Sequence, residues 1–176
     1  SDLRSDNLCL QHILEEAGPW RPDQDTKLQA LARLLQREHP TDKVIVFTQF
    51  ADTVRYLAAQ LQSRGIASLS GVTGADENPT ALAQRFSPRS NAAACDPGDE
   101  LRVLVSTDIL SEGQNLQDGH IIVNYDLPWA IIRLIQRAGR ADRIGQAAQE
   151  ILCYSFLPAE GVERIFGIPG EENLDL

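Results

Sequence analysis

The sequence predicts an α/β domain: a three-layer sandwich in which a mostly parallel sheet carries helices on both faces. Three observations lead there. Short apolar runs alternate along the chain with segments of helical periodicity. The connections between those runs are long enough to hold a helix, as parallel neighbours require. Runs such as KVIVF (43–47) are apolar without alternation, the pattern of a strand buried on both sides.

Each element has its own signal. Residues 3–16 read as a short helix closed by AGPW (17–20). Asp25, Thr26 and Lys27 announce a second helix, on which Leu28, Leu31, Leu34 and Leu35 share a face. After the 43–47 strand, DTVRYLAAQLQSRG (52–65) puts Val54, Leu57, Ala58 and Leu61 on one side and stops at Gly65, a C-cap residue. IASLS (66–70) is expected to be a weak strand, and ENPTALAQRF (77–86) a short helix with Pro79 in its first turn. SPRSNAAACDPGDE (87–100) reads as a surface loop. LRVLVST (101–107), HIIVNYD (120–126) and EILCYSF (150–156) complete five expected strands, with a helix over 130–143 between the last two. The expected organisation is a lead-in helix and linker at 1–24, one α/β lobe at 25–157, and an acidic extension at 158–176.

Composition excludes several classes. The 176 residues are 43% hydrophobic and 23% charged, ordinary for one globular domain. A net charge of −9 argues against a surface that coats nucleic acid over its whole extent. The charge is uneven, however: residues 1–42 carry eight acids against five bases, and residues 156–176 five against one, leaving only −2 for the 113 residues between. A locally basic site therefore stays open. Cys9, Cys95 and Cys153 are far apart with no C-x-x-C pair, and His12, His39 and His120 are isolated, so neither a disulfide framework nor a metal site is expected. No apolar run is long enough for a membrane span, and no signal peptide opens the chain.

In open parallel sheets ligands gather outside the carboxyl ends of the strands. That rule marks TQF (48–50), SGVTG (70–74), STDILSEGQNL (106–116) and YDLPW (125–129), which are also polar or glycine-bearing stretches. The helix after the last of them is unusual. On a wheel, Ile131, Leu134, Ile135 and Ala138 form an apolar stripe, and Arg133, Gln136, Arg137, Arg140 and Arg143 fall opposite within an arc of about 120°. The neighbouring arginines repel by about 0.2–0.5 kcal/mol per pair, and Gly139 costs about 1 kcal/mol relative to alanine. Two readings stand: an anion site, for which arginine is suited, or a basic face paired with carboxylates elsewhere in an acidic chain. Asp108 and Glu112 are read as structural partners for those arginines and not as a catalytic pair.

A family resemblance rests on five segments in order. QRAGRADRIGQ (136–146) resembles motif VI of the Swi/Snf branch of superfamily-two helicases. VIVFTQF (44–50) resembles motif IV, LSGVT (69–73) motif IVa, STDILSEGQNLQ (106–117) motif V, and YDLPW the D-x-x-W before motif VI. DTKLQALARLL (25–35) is similar to the segment that leads into this lobe. The match covers about residues 25–157. Two departures matter. Ser111-Glu112-Gly113-Gln114-Asn115-Leu116 stands where eukaryotic remodellers usually have A-G-G-x-G-L-N-L; together with GRADRIGQ (139–146), this segment is closer to the bacterial RNA-polymerase-associated branch. Trp129-Ala130-Ile131 replaces the usual W-N-P. Trp129 itself has two readings, core packing or a platform for a stacked base.

The resemblance implies a RecA-like second lobe of a two-lobe motor, with ATP and Mg²⁺ between the lobes and nucleic acid, duplex DNA first, running across both. By motif position, Arg140 and Arg143 would be arginine fingers and Gln136 would orient the nucleotide or those fingers. Gly113 and Asn115 would contact the nucleotide, while Thr48, Gly71, Thr73 and Thr107 would hold nucleic-acid phosphates. Turn glycines and helix-capping threonines are the structural alternatives for these positions. The implied partners are the N-terminal lobe, DNA and RNA polymerase, in a bacterial cytoplasmic, nucleoid-associated protein without a membrane anchor. The chain contains no G-x-x-x-x-G-K-[ST] and no D-E-x-H, and its only lysines are Lys27 and Lys43. It is accordingly expected to be part of a longer protein, or a subunit that borrows the missing half, and to be inactive alone as an ATPase. The rival from another class is a non-catalytic RecA-like module that docks nucleic acid or RNA polymerase; a second rival is an RNA-directed helicase of the same superfamily.

Overall fold

A computed structural model describes residues 2–76, 78–111, 115–128, 130–142, 148, 150–156 and 166–168. The elements are α1 (Asp2–Ala17), α2 (Thr26–Arg33), β1 (Val44–Phe47), α3 (Ala51–Ser63), β2 (Leu69–Val72), α4 (Pro79–Phe86), β3 (Val103–Ser106), β4 (Ile121–Asn124), α5 (Ile131–Ala141), β5 (Ile151–Ser155) and β6 (Phe166–Ile168). A wide π-type turn (Leu34–Glu38) continues α2, and a 3₁₀ turn (Asp108–Ser111) follows β3.

The sheet order is β2-β3-β1-β4-β5-β6. The first five strands are parallel, as expected, and β6 is antiparallel to β5. The β6 strand lies within the acidic extension: a three-residue run with a central glycine gives too little pattern to be read as a strand. Register aligns Phe47, Ser106 and Asn124 at the carboxyl ends of the three central strands.

Alternate residues of each strand feed two cores. Val44, Val46, Val103, Val105, Ile121 and Val123 pack under α2 and α3 with Leu28, Leu31, Leu35, Leu57 and Leu61. Ile45, Phe47, Leu104 and Ile122 face α4 and α5 with Ala83, Phe86, Ala138 and Ala141. This is the three-layer architecture. Asp25 caps α2 by accepting from the Leu28 amide at 2.9 Å, and Asn78 caps α4 from Ala81 at 3.0 Å. By contrast α1 is exposed along residues 6–13. Among the described residues no helix is long and apolar enough to cross a membrane.

The second strand begins later than expected, at Leu69 instead of Ile66. Gly65 at φ +81° ends α3, and Ser68 at φ +51° turns the chain once more before it can extend. Gly71 then sits inside β2, where a Cβ would come 2.9 Å from Val54 Cγ1 and 3.4 Å from Ala58 Cβ of α3. Its absent side chain lets the helix approach the strand.

Gly71→Ala is expected to lose about 1–3 kcal/mol by overpacking this contact, measured as a lower urea midpoint with an unchanged slope.

Candidate functional site

The connection from β1 runs to one flank of the sheet, whereas those from β3 and β4 run to the other. Their carboxyl ends therefore bound a topological switch point, where a ligand crevice is expected. The residue seated there is Arg137. It is fully buried, lies 5.3 Å from the Phe47 ring centroid, and donates from Nε to Asp108 Oδ1 at 2.6 Å. Its Nη1 donates to Asn124 Oδ1 at 3.0 Å and to the Asp126 carbonyl at 3.3 Å. The Nη2 nitrogen is buried with no hydrogen-bond partner. Asp108 turns its second oxygen to Arg133, whose Nη1 donates at 3.0 Å. One carboxylate thus serves two arginines.

This arrangement corrects the helical wheel. The apolar stripe is split: Ala138 is buried and Leu134 half-buried, whereas Ile131 and Ile135, with the neighbouring Ile132, are 74%, 59% and 57% exposed, and Arg137 from the opposite side is buried with Ala141. Two small alanines let α5 sit close on the sheet. The Arg137 guanidinium beside them finds an aromatic face, a carboxylate, an amide oxygen and a carbonyl. Hydrophobic periodicity cannot anticipate partners supplied by β3 and β4. Asp108 has the structural pairing role read from the sequence, and for Arg133 and Arg137 the carboxylate-paired alternative holds.

A second hub is Asp126. Its carboxylate accepts from the Thr48 hydroxyl, from the Gln49 amide at 3.3 Å and from Lys27 Nζ at 3.4 Å. Gln49 Nε2 donates to the Leu127 carbonyl at 2.9 Å, and Lys27 stands 4.4 Å over the Tyr125 ring. Tyr56 donates its hydroxyl to Asp25 at 2.9 Å. Burial, helped by the nearby Asp25, pushes the Tyr125 phenol well above its ordinary range, so it stays neutral. The start of α2, the end of β1 and the end of β4 are therefore joined through one carboxylate.

The residues singled out in the sequence divide as follows. Arg140 is half-buried one turn beyond Gln136, which is exposed, and the Arg140 carbonyl accepts from the Leu116 amide at 3.4 Å. Arg143 and Gly113 lie outside the described residues, as does Trp129. Asn115 donates from Nδ2 to the Ser90 carbonyl at 2.9 Å and accepts at Oδ1 from the Gln117 amide at 3.2 Å, tying the 87–100 loop to the segment before β4. Thr48 is fully buried on Asp126 and does not cap α3, whose N-cap is Phe50. Thr73 donates its amide and hydroxyl to Asp76 Oδ2 at 2.6 and 2.8 Å. Thr107 is half-buried at the carboxyl end of β3. Gly71 lies within β2, against α3. An alanine side chain at Gly139 would meet nothing within 4 Å, so the helix surface there is open.

The sequence reading missed Asn124 and Asp126 as anchors. Their signal was present: a polar residue ending the apolar run HIIVN, and an acid directly after it. A buried polar group at a strand end needs a partner. The partner's identity came only with the fold. Among the described residues no group of three or more His, Cys, Asp or Glu could hold a metal ion.

Residues 26–145 match the family described as helicase conserved C-terminal domain, and the chain belongs to that family, the C-terminal lobe of superfamily-two helicases. It is 34% identical over 122 residues to the uncharacterized ATP-dependent helicase YqhH of Bacillus subtilis, covering 69% of this chain and 20% of that protein. It is 34% identical over 166 residues to the ATP-dependent RNA helicase DBP8 of Eremothecium gossypii, covering 93% of this chain and 35% of that protein. The chain thus spans about a fifth to a third of the length of these relatives. The fold resembles the C-terminal part of the Fun30 ATPase domain (TM-score 0.63, 19% identity, 89% of this chain and 50% of that one). It also resembles Dbp5 of S. cerevisiae bound to RNA and ADP BeF3 (TM-score 0.58, 24% identity, 76% and 32%). The RecA-like sandwich expected from the sequence is the fold observed.

Because Arg137 would be left buried without its carboxylate, Asp108→Asn is expected to cost about 3–5 kcal/mol in chemical denaturation. Arg133→Gln, which removes the 56% exposed partner, should cost at most about 1 kcal/mol.

Proposed function

We propose that this chain is the C-terminal motor lobe of an ATP-dependent DNA translocase of the Swi/Snf type, with Arg140 and Arg143 as its arginine fingers. The observation that carries the reading is the seating of α5: the Arg137 anchor at the switch point fixes the helix that presents Gln136 and Arg140. In the proposed mechanism a nucleotide held mainly by a companion N-terminal lobe supplies the terminal phosphoryl group. Arg140 and Arg143 place fixed positive charge where negative charge grows on the equatorial oxygens during transfer to water. Gln136 orients the nucleotide or the fingers, and Gly113 allows close backbone approach. Asn115 reaches the sugar only by giving up its bonds to Ser90 or Gln117. Thr107 offers a hydroxyl at the carboxyl edge to a nucleic-acid phosphate, while Thr48, Gly71 and Thr73 sit more deeply in the framework.

The donor set fits the phosphates of ATP: it is rich in guanidinium groups, and the helix surface is open at Gly139. It does not fit Mg²⁺, whose carboxylate ligands would come from the companion lobe. That lobe would also supply the phosphate cradle, so the chain alone should not hydrolyse ATP. A covering lobe accounts for Ile131, Ile132 and Ile135, an apolar face of α5 larger than isolated surface residues need. The D-R-I-G-Q of 142–146 favours the Swi/Snf branch and duplex DNA. A second reading, an RNA-directed helicase, is favoured by the E. gossypii relative, which is named as an RNA helicase and matches 93% of this chain. RNA polymerase as a partner rests on the resemblance of the motif V segment together with GRADRIGQ (139–146).

In the full-length protein, Arg140→Ala should lower nucleic-acid-stimulated hydrolysis by about 10³-fold or more, the scale on which arginine fingers act; survival within a few-fold would refute the finger assignment. Hydrolysis measured with duplex DNA and with RNA should be stimulated more by the DNA. The opposite order would move the protein to the RNA-directed branch.

A further inference from the structure

Resting on the motor reading above, we propose that Asp108 and Arg133 are positioning residues for Arg140: together they set where the arginine helix lies without touching the nucleotide. The inference begins with what holds α5 among the described residues. Its three isoleucines at 131, 132 and 135 are exposed, and its fully seated apolar residues are Ala138 and Ala141. An alanine methyl contributes only about 0.8 kcal/mol on burial. Among the described residues Arg133 and Arg137 meet on Asp108 in the 3₁₀ turn after β3, and Arg137 also reaches Asn124 and the Asp126 carbonyl.

The geometry of the clamp is uneven. A guanidinium usually grips a carboxylate with two parallel N–H groups. Arg137 gives Asp108 only Nε, and its Nη2 stays buried and unpaired, while the second carboxylate oxygen is drawn to Arg133. A buried donor left unsatisfied costs about 1–3 kcal/mol, and Arg133 and Arg137, four residues apart, repel one another. Arg133 ties the first turn of α5 to the end of β3 as well. Arg140 follows Arg133 by seven residues, nearly two full turns, and so lies above it on the same side of the helix. Fixing that first turn fixes the rotation of α5 about its axis, and with it the direction in which Arg140 leaves the helix.

Arg133 provides the test, since it is exposed and its loss should leave the fold intact. In the full-length protein, Arg133→Gln should lower kcat by about tenfold with KM for ATP within about twofold, because a 1 Å misplacement can cost up to about 10²-fold in rate. Amide hydrogen exchange over residues 131–141 should quicken while residues 44–47 and 103–106 keep their protection. Combined with Arg140→Ala, Arg133→Gln should cost nothing further, because its effect passes through Arg140. An Arg133→Gln enzyme within twofold of the unmodified protein, or an equal loss with and without Arg140, would overturn the positioning role. If Arg140→Ala itself retained full hydrolysis, the finger assignment would fail and this inference with it, whatever Arg133→Gln did.

Discussion

A single carboxylate shared between two arginines organises the carboxyl edge of the sheet in this lobe. Asp108 holds Arg137 at 2.6 Å beneath α5 and Arg133 at 3.0 Å beside it. Buried ion pairs are poor sources of net stability, since the desolvation of both charges offsets their attraction. They are good at excluding alternatives. Any rotation of α5 that returned the isoleucines to the core would strand the guanidinium, so the pair selects one orientation of the helix.

The rest of the carboxyl edge is built around that orientation. Asn124 and the Asp126 carbonyl receive Arg137, and the Asp126 side chain collects Thr48, Gln49 and Lys27. The ends of β1, β3 and β4 and the start of α2 thus meet in one connected set of hydrogen bonds. This is the switch point of the sheet, where strand connections diverge and the backbone leaves room for a ligand. Helicase C-terminal lobes share the architecture, and the fold alone does not fix the chemistry it carries.

Several polar residues with an attractive motif position proved to be working inside the chain. Thr48 holds Asp126, Thr73 holds Asp76, and Asn115 fastens the 87–100 loop. Gly71 serves the packing of α3 on β2. These bonds are internal to the fold, so those side chains are engaged with the chain itself.

Much of the lobe was legible in the amino acids alone. Unbroken apolar runs specified buried parallel strands, leucine spacing specified α2, and Asp25 and Pro79 marked where helices begin. These features are local, and short-range physics decides them. Two results were not local. The β6 strand exists because β5 offers it an edge, since three residues with a central glycine have little preference of their own. The buried side of α5 was settled by Asp108 and Asn124, 29 and 13 residues away in sequence from Arg137. Hydrophobicity ranks each side chain by its cost of leaving water, and on that scale arginine faces out and isoleucine faces in. Only the folded sheet could bring together the oxygen atoms and the aromatic ring that reverse the order.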